Sequence, residues 1–282
     1  MKTGHVLTAL DGSPESRAAL DGAIFFARLG GGVVHLLHVV DAGRLIGGTL
    51  ARIPTFFELG TIDEIGDKLA AAFKSEGREI LDEGDKRVRE AGLPVDRFLE
   101  VGRPAGWILS HGRDADLLAL GRRGKGEAPR GELGHVVEKV LRRLPAPILV
   151  TGTSFPERIE KPVLAYDGRA ASHGALDPAL DLAHLLGVPL TILKVPGYHP
   201  KDRWDHVRRH VEEHRAEVRW VELEGVDEEG PHDGAILEAV QGHGHDLLIL
   251  GSWGYRAEEC SVGVSPVERM VARSDLPVLV LF

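Results

Sequence analysis

Short apolar runs alternate along the chain with longer stretches in which apolar residues follow helical spacing. In the first half, the runs include residues 5–10, 33–40 and 146–150. Between the first two runs, five apolar residues recur at the spacing of one helix face: Ala19, Leu20, Ala23, Ile24 and Ala27. Runs that are apolar at nearly every position are typical of parallel strands covered by helices on both faces.

The rest of the first half continues this alternation. We predict a helix near 61–91, a strand over 95–101, a helix over 104–113, a strand over 116–121 and a helix that ends near 144. Ser13 suits the N-cap of the first helix, and Pro14 suits its first position. Strands that alternate with helices indicate βαβ units, and the sequence therefore predicts an α/β fold with a doubly wound parallel sheet.

This order of elements occurs twice. "HVLTALDGSPES" (5–16) recurs as "KPVLAYDGRAAS" (161–172), at an offset of 156 residues. "DADLLALGRRG" (114–124) recurs as "GHDLLILGSWG" (244–254), at an offset of 130, so the second copy is shorter in its middle. We predict two domains of one kind, residues 1–152 and 160–282, with a polar linker between them.

The last predicted strand of each copy has no strand after it to cover its edge. These strands are "APILV" (146–150) and "LPVLVLF" (276–282), and both are apolar. Exposed apolar edges invite aggregation and are usually paired or covered. We therefore expect the two strands to meet.

Composition and charge narrow the classes of function. A net charge of −9 over 282 residues argues against nonspecific nucleic-acid binding. No apolar run approaches the roughly 20 residues that a membrane span needs. The single cysteine, Cys260, cannot form an internal disulfide, and the start of the sequence lacks the pattern of a signal peptide. We expect a cytoplasmic protein with no nucleic-acid or membrane partner.

A basic, glycine-rich stretch, "GRRGKGEAPRGELGH" (121–135), connects a predicted strand to a predicted helix. In doubly wound sheets, ligands bind at the carboxyl ends of strands where the strand order reverses, and Asp11 lies at such an end. Glycines let backbone N–H groups approach phosphate oxygens closely. Four cationic residues add positive charge: Arg122, Arg123, Lys125 and Arg130. The stretch predicts a phosphate-binding loop, although the Walker and Rossmann spacings are both absent. The alternative is that the glycines only shape turns.

Taken together, these features resemble the universal stress protein family. The resemblance rests on the spacing Gly121-x2-Gly124-x9-Gly134, on "PAPILV" (145–150), on Asp-Gly-Ser at 11–13 and on "LLHVVD" at 36–41. It covers both halves of the chain. It implies a Rossmann-like, five-stranded parallel sheet of order 3-2-1-4-5 in each domain, and an intramolecular pseudo-dimer joined through the last strands. It also implies an ATP-binding, stress-response protein.

The resemblance gives the first domain a nucleotide site. Seven residues match the family's positions: Asp11, Val39, Gly121, Gly124, Gly134, His135 and Val136. Asp11 would contact the ribose, the backbone of Val39 would contact adenine, and the glycines would hold the phosphates. His135 replaces the family's Ser or Thr, and it either donates an N–H to the phosphates or crowds them. The expected ligand is ATP or another adenine nucleotide, with or without Mg²⁺.

The second domain departs further from the family pattern. A weak second site is expected at five residues: Asp167, Val195, Gly251, Gly254 and Ser265. Val264 replaces the third glycine of the pattern, and a β-branched residue is poorly suited to close backbone approach. Glu258 and Glu259 outnumber Arg256 in this loop and would repel phosphate. We predict that this domain binds nucleotide weakly or not at all.

Three functions remain open at this point. The first is a nucleotide-binding regulatory protein that changes protein partners with its ligand state. The second is an enzyme, at most a slow ATP hydrolase; it is less favoured because no nucleophile–base pair is evident near either loop. The third is a docking protein with a vestigial pocket. The assembly is expected to be a monomeric pseudo-dimer or a homo-oligomer of it.

Two further stretches have no assigned role. His206, His210 and His214 would share one stripe of a helix, and an i, i+4 pair of histidines can hold a metal. Their charged neighbours favour a solvated helix face instead, so no metal site is assigned. The apolar stretch 44–60 fits a lid over the first site, a domain interface or a partner surface.

Overall fold

The computed structural model describes residues 3–41, 43, 62–125, 129, 131–196, 202–214, 216–223, 232–252 and 265–282. The first half contains β1 (His5–Ala9), α1 (Pro14–Gly30), β2 (Val33–Asp41), α2 (Ile62–Glu90), β3 (Val95–Gly102), α3 (Pro104–Gly112), β4 (Leu117–Gly121), α4 (His135–Leu141) and β5 (Ile148–Thr151). The second half contains β6 (Pro162–Tyr166), α5 (Ala170–Leu186), β7 (Leu190–Lys194), α6 (Asp202–Glu213), β8 (Val218–Glu222), α7 (Asp233–Gly242), β9 (Leu247–Gly251), α8 (Pro266–Arg273) and β10 (Val278–Leu281). The α/β alternation predicted from the sequence is confirmed.

Helix α1 begins as the sequence predicts, and its end is capped by glycine. The Ser13 side chain accepts a hydrogen bond from the Ser16 N–H at 3.1 Å, and Pro14 follows as the first helical residue. Gly31 ends the helix in the left-handed conformation, with φ 65°. Gly187 ends α5 in the same way, with φ 69°. The repeat therefore extends to the C-caps of these equivalent helices.

The strands form one ten-stranded sheet of order β3-β2-β1-β4-β5-β10-β9-β6-β7-β8. Each half has the order 3-2-1-4-5, and neighbouring strands within each half are parallel. The halves join where β5 and β10 pair antiparallel, with Leu149 opposite Leu279 and Val150 opposite Val278. The predicted meeting of the last strands is confirmed, and neither edge is left exposed.

Two layers of apolar side chains cover the faces of the sheet, and both run through the two halves. One layer lies under α1, α2, α5 and α6 and includes Val6, Leu20 and Leu176. The other lies under α3, α4, α7 and α8 and includes Leu7 and Val271. Because adjacent strand residues point to opposite faces, the apolar runs supply both layers at once.

Ion pairing adds a polar contact between the halves. Arg142 Nε lies 2.5 Å from Glu268 Oε1, and Arg142 Nη2 lies 2.8 Å from Glu138 Oε1. Glu138 and Glu268 are equivalent in the repeat, so one arginine joins the two related glutamates. The Glu268 side chain is only 3% exposed, and the pair is therefore poorly screened by solvent.

The middle of each domain explains much of the difference in length. Helix α2 has 29 residues, whereas the equivalent α6 has 12. The apolar stretch 44–60 lies outside the described residues, as does Cys260. Among the helices that the structure describes, none combines the length and the apolar character needed to cross a bilayer.

Candidate functional site

A cavity of about 320 Å³ opens at the carboxyl ends of β1, β2 and β4. Strand β1 lies between β2 and β4, so the cavity sits where the strand order reverses. All seven residues that the sequence assigned to the first site line it: Asp11, Val39, Gly121, Gly124, Gly134, His135 and Val136. The fold thus brings three separate parts of the sequence to one place.

Asp11 connects the end of β1 to the glycine loop. Its Oδ1 accepts a hydrogen bond from Ser13 N at 2.9 Å, and its Oδ2 accepts one from Lys125 N at 2.8 Å. Burial alone would raise the pKa of this carboxyl, but hydrogen bonds from Ser13, Lys125 and Ser16 outweigh it and lower the pKa below its ordinary value. Asp11 is therefore ionised, and its two oxygens retain acceptor capacity for a ligand hydroxyl.

Glu15 anchors the start of the same loop. Its Oε1 accepts hydrogen bonds from Arg123 Nε at 3.0 Å and Nη2 at 2.7 Å, while its Oε2 accepts one from the Arg123 backbone N–H. The Glu15 side chain is only 8% exposed. With one oxygen on the guanidinium and the other on the backbone N–H, the buried Glu15 carboxylate holds the loop against the first turn of α1. Sequence analysis missed Glu15, because its partner lies 108 residues away.

Lys125 bridges the loop to α2. Its Nζ lies 2.6 Å from Glu76 Oε1, and both residues line the cavity together with Phe73. A ligand that draws Lys125 toward its own negative charge would compete with Glu76. The ion pair between Lys125 and Glu76 therefore couples the loop to α2 at the edge of the cavity.

The glycines of the loop serve different needs. A Cβ at Gly124 would lie 2.5 Å from Asp11 Oδ2, so this position must stay bare for the loop to close on Asp11. A Cβ at Gly121 would lie 2.7 Å from the backbone carbon of Glu15. Gly121 is thus required where α1 packs against β4, whatever binds in the cavity.

The start of α4 forms the opposite wall of the cavity. Gly134 is the N-cap, and the first helical hydrogen bond runs from Glu138 N to Gly134 O at 3.0 Å. The N–H groups of His135, Val136 and Val137 precede that bond, and all three residues line the cavity. The His135 side chain is 86% exposed, with its Nδ1 3.8 Å from Glu138 Oε2. Its bulk does not fill the cavity.

One of the four expected cationic side chains does not belong to the cavity. Arg122 is 7% exposed, and its Nη2 donates a hydrogen bond to the Leu276 carbonyl in the second domain at 3.2 Å. Burial lowers the pKa of its guanidinium, while Glu15 acts in the opposite direction. Arg122 therefore joins the domains, and the prediction that it adds charge to the phosphate loop is wrong. Arg130 lies outside the described residues.

The second domain keeps part of the arrangement. Asp167 Oδ1 accepts hydrogen bonds from Arg169 N at 3.0 Å and Ser172 Oγ at 2.7 Å, while Val195 is buried at 4% exposure. Gly251 ends β9, and a Cβ there would overlap the Ala171 carbonyl oxygen. Gly254, Val264 and the loop residues Arg256, Glu258 and Glu259 lie outside the described residues.

Ser265 caps helix α8, a structural role that the sequence prediction did not include. Its side chain accepts a hydrogen bond from Glu268 N at 3.1 Å, and the Glu268 carboxylate accepts one from Ser265 N at 2.9 Å. The two residues form a capping box at the start of α8. The same Glu268 pairs with Arg142 across the domain junction, so this helix start is tied to the joining of the two halves.

Comparison with known proteins gives a consistent result. The model of the universal stress protein family matches residues 2–152 and again residues 159–281. The chain is 25% identical to the universal stress protein Slr1230 of Synechocystis sp., in a match that covers 98% of each protein. It is 31% identical to the universal stress protein YxiE of Bacillus subtilis, over 51% of this chain and 96% of that protein. The crystal structure of a universal stress protein from Archaeoglobus fulgidus has a TM-score of 0.76 and 21% identity, covering 99% of this chain and 96% of the other.

Proposed function

The chain belongs to the universal stress protein family, and from that premise we propose that its first domain binds an adenine nucleotide, ATP foremost, to regulate a stress response. The observation that carries the proposal is the cavity at the strand-order reversal, where Asp11 and the glycine loop face each other. Its volume of about 320 Å³ suits a small ligand that stays partly exposed.

The lining of the cavity offers groups that suit each part of a nucleotide. Val39 and Ile108 offer apolar surface against which a base can pack. Asp11 offers ionised oxygens to ribose hydroxyls. The N–H groups at the start of α4 and the Lys125 ammonium lie on the loop side, where phosphates would be held. Mg²⁺ would arrive with the phosphates.

The way the loop is closed supports a regulatory role. Lys125 donates through its backbone to Asp11 and through its side chain to Glu76 on α2. Phosphates that engage Lys125 would loosen its contact with Glu76. Binding would therefore alter the surface around α2, which is where a protein partner could detect the ligand.

Titration calorimetry on the full chain tests the proposal. ATP, ADP and AMP are titrated with and without Mg²⁺ into wild type, Asp11→Asn and the matched second-domain variant Asp167→Asn. We expect Asp11→Asn to weaken ATP binding by at least about tenfold, because a hydrogen bond to a charged acceptor contributes roughly 1.5–3 kcal/mol. Asp167→Asn should leave the affinity unchanged.

Other results of these measurements would favour a different site or a different function. A larger effect of Asp167→Asn than of Asp11→Asn would move the site to the second domain. Absence of binding, together with absence of nucleotide in ligand extracted from the purified protein, would favour a docking protein with a vestigial pocket. Turnover of ATP that Gly124→Asp abolishes would favour the slow hydrolase.

A further inference from the structure

Helix α5, helix α6 and the residue that follows α6 bring one carboxylate and two imidazoles together in the second domain. His210 Nε2 lies 2.5 Å from Asp177 Oδ1, and His214 Nε2 lies 3.7 Å from the same oxygen. The three ligand atoms all lie within 4.8 Å of one another. The sequence suggested a stripe of three histidines, but the structure pairs two of them with an aspartate from another helix.

The hydrogen bond that His214 Nδ1 makes leaves the other ring nitrogen, Nε2, facing the Asp177 carboxylate. His214 Nδ1 donates to the His210 carbonyl oxygen at 3.1 Å, because that oxygen can only accept. In the neutral imidazole, Nε2 then carries a lone pair that faces Asp177 Oδ1, an oxygen with lone pairs of its own. A cation between the two atoms would turn this unfavourable approach into an attraction.

The first domain holds a cation at the equivalent place. Asp21 is the counterpart of Asp177 in the repeat, and it pairs with the Arg87 guanidinium from α2. The carboxylate on the first helix is thus common to both domains. The first domain supplies a permanent cation from the facing helix, whereas the second supplies two imidazoles, which are neutral metal ligands when unprotonated.

We propose that Asp177, His210 and His214 form a site for a divalent transition-metal ion, Zn²⁺ foremost, which clamps α6 to α5. Two imidazole nitrogens and one carboxylate oxygen are a ligand set that zinc accepts, with a fourth position for water. Ligand atoms around tetrahedral zinc lie roughly 3.3 Å apart, given bond lengths of about 2.0–2.1 Å. The separations of 2.5 and 3.7 Å from Asp177 Oδ1 lie on either side of that value, and all three atoms lie within 4.8 Å, so side-chain rotations that even out these separations would complete the site. Calcium and magnesium are disfavoured, because they prefer oxygen ligands throughout.

The site lies where binding can be observed optically. Trp204 on α6 contacts both Tyr166 and Trp220, with ring centroids 5.4 and 6.3 Å away. A metal that fixes α6 against α5 would restrict Trp204 among these rings. Tryptophan fluorescence therefore reports on the clamp without any assay of nucleotide binding.

Calorimetry with ZnCl₂ on the metal-free full chain tests the proposal. The variants are Asp177→Asn and His214→Ala, and the matched control is His206→Ala, one turn earlier on the same helix but outside the cluster. We expect one zinc ion per chain at this site, a zinc-dependent rise in Tm that EDTA reverses, and a change in tryptophan fluorescence. Asp177→Asn and His214→Ala should each weaken zinc binding by at least about tenfold, and His206→Ala should leave it unchanged.

Cobalt gives a measurement that does not depend on the folding of a variant. Co²⁺ bound to wild type should produce the visible absorption of a tetrahedral site, and Zn²⁺ should displace it. The proposal is overturned if wild type shows no such band and no stoichiometric zinc binding. It is also overturned if Asp177→Asn and His214→Ala, both folded by circular dichroism, bind zinc as tightly as His206→Ala.

Discussion

Gly121 and Gly251 occupy the same place in the two domains, at the ends of β4 and β9. A side chain at either would collide with the backbone of the first helix of its domain, at Glu15 in the first domain and at Ala171 in the second. The residues around these glycines differ between the domains. The shared glycine is therefore needed for the packing of the first helix on the sheet. Its presence in both domains does not by itself indicate two binding sites.

The difference between the domains lies in what holds the loop beside the glycine. In the first domain, Glu15 binds Arg123 and Asp11 binds Lys125 N, so two carboxylates fix the loop over the cavity. The counterpart of Glu15 is Ala171, which has no carboxylate to offer. The second domain therefore keeps the counterpart of Asp11, which is Asp167, but lacks the carboxylate that holds Arg123 in the first domain.

Replacing the shared glycine gives the largest expected effect. We expect Gly121→Ala and Gly251→Ala each to lower the free energy of unfolding by at least about 3 kcal/mol, because overpacking against backbone forces elements apart. The loss should be greater at Gly251, where the overlap is closer. Urea unfolding of the full chain measures it.

A matched control separates packing from the general effect of adding a methyl group. Gly174→Ala on α5 has open space around the new Cβ and should be neutral or stabilising. If Gly121→Ala leaves stability unchanged but abolishes ATP binding, then Gly121 belongs to the ligand site alone and the comparison between the domains fails.

The loop anchor should have an intermediate effect. Glu15→Gln removes the charge that holds Arg123, and we expect it to lower the free energy of unfolding by about 2 kcal/mol, the range for hydrogen bonds to charged groups. The proposed ATP affinity should fall about tenfold, because the loop must then be ordered by the ligand. Unfolding curves and calorimetry measure the two effects.

An exposed ion pair provides the control for this variant. Glu83 pairs with Arg17, and both side chains are at least half exposed, so Glu83→Gln should cost less than about 0.5 kcal/mol. Tighter ATP binding by Glu15→Gln would mean that released Arg123 attracts phosphate more than its anchoring helps. The supporting role assigned to Glu15 would then be wrong.

Sequence reasoning predicted the fold well because its evidence is periodic and local. Apolar runs, caps such as Ser13 and the repeated motifs indicated the elements and their order. The apolar character of the last strands predicted the junction of β5 with β10, since few other surfaces would cover those edges. Caps depend on residues that are close in sequence, and strand pairing depends on the apolar character of an entire strand.

Side-chain partners distant in sequence were beyond such reasoning. Arg122 looked like part of the phosphate loop, but it turns into the domain junction and binds the Leu276 carbonyl. His210 and His214 looked like a solvated stripe because Asp177 lies 33 residues before the first of them. Charge and spacing in a sequence indicate which groups are available, whereas the packing of helices decides which of them meet.

The smallest expected effect concerns His135 and Ser265, which align in the repeat. His135→Ala should change the proposed ATP affinity by less than about twofold, because the imidazole is mostly exposed and the residue faces the cavity through its backbone. Ser265→Ala should leave ATP binding unchanged but lower the free energy of unfolding by about 1 kcal/mol, since it removes the cap of α8. Calorimetry and urea unfolding of both variants make the measurement.

A tenfold loss of affinity in His135→Ala would show that the imidazole turns inward on binding and takes the place of the family's hydroxyl. Position 135 would then contact the ligand, whereas the aligned Ser265 caps a helix.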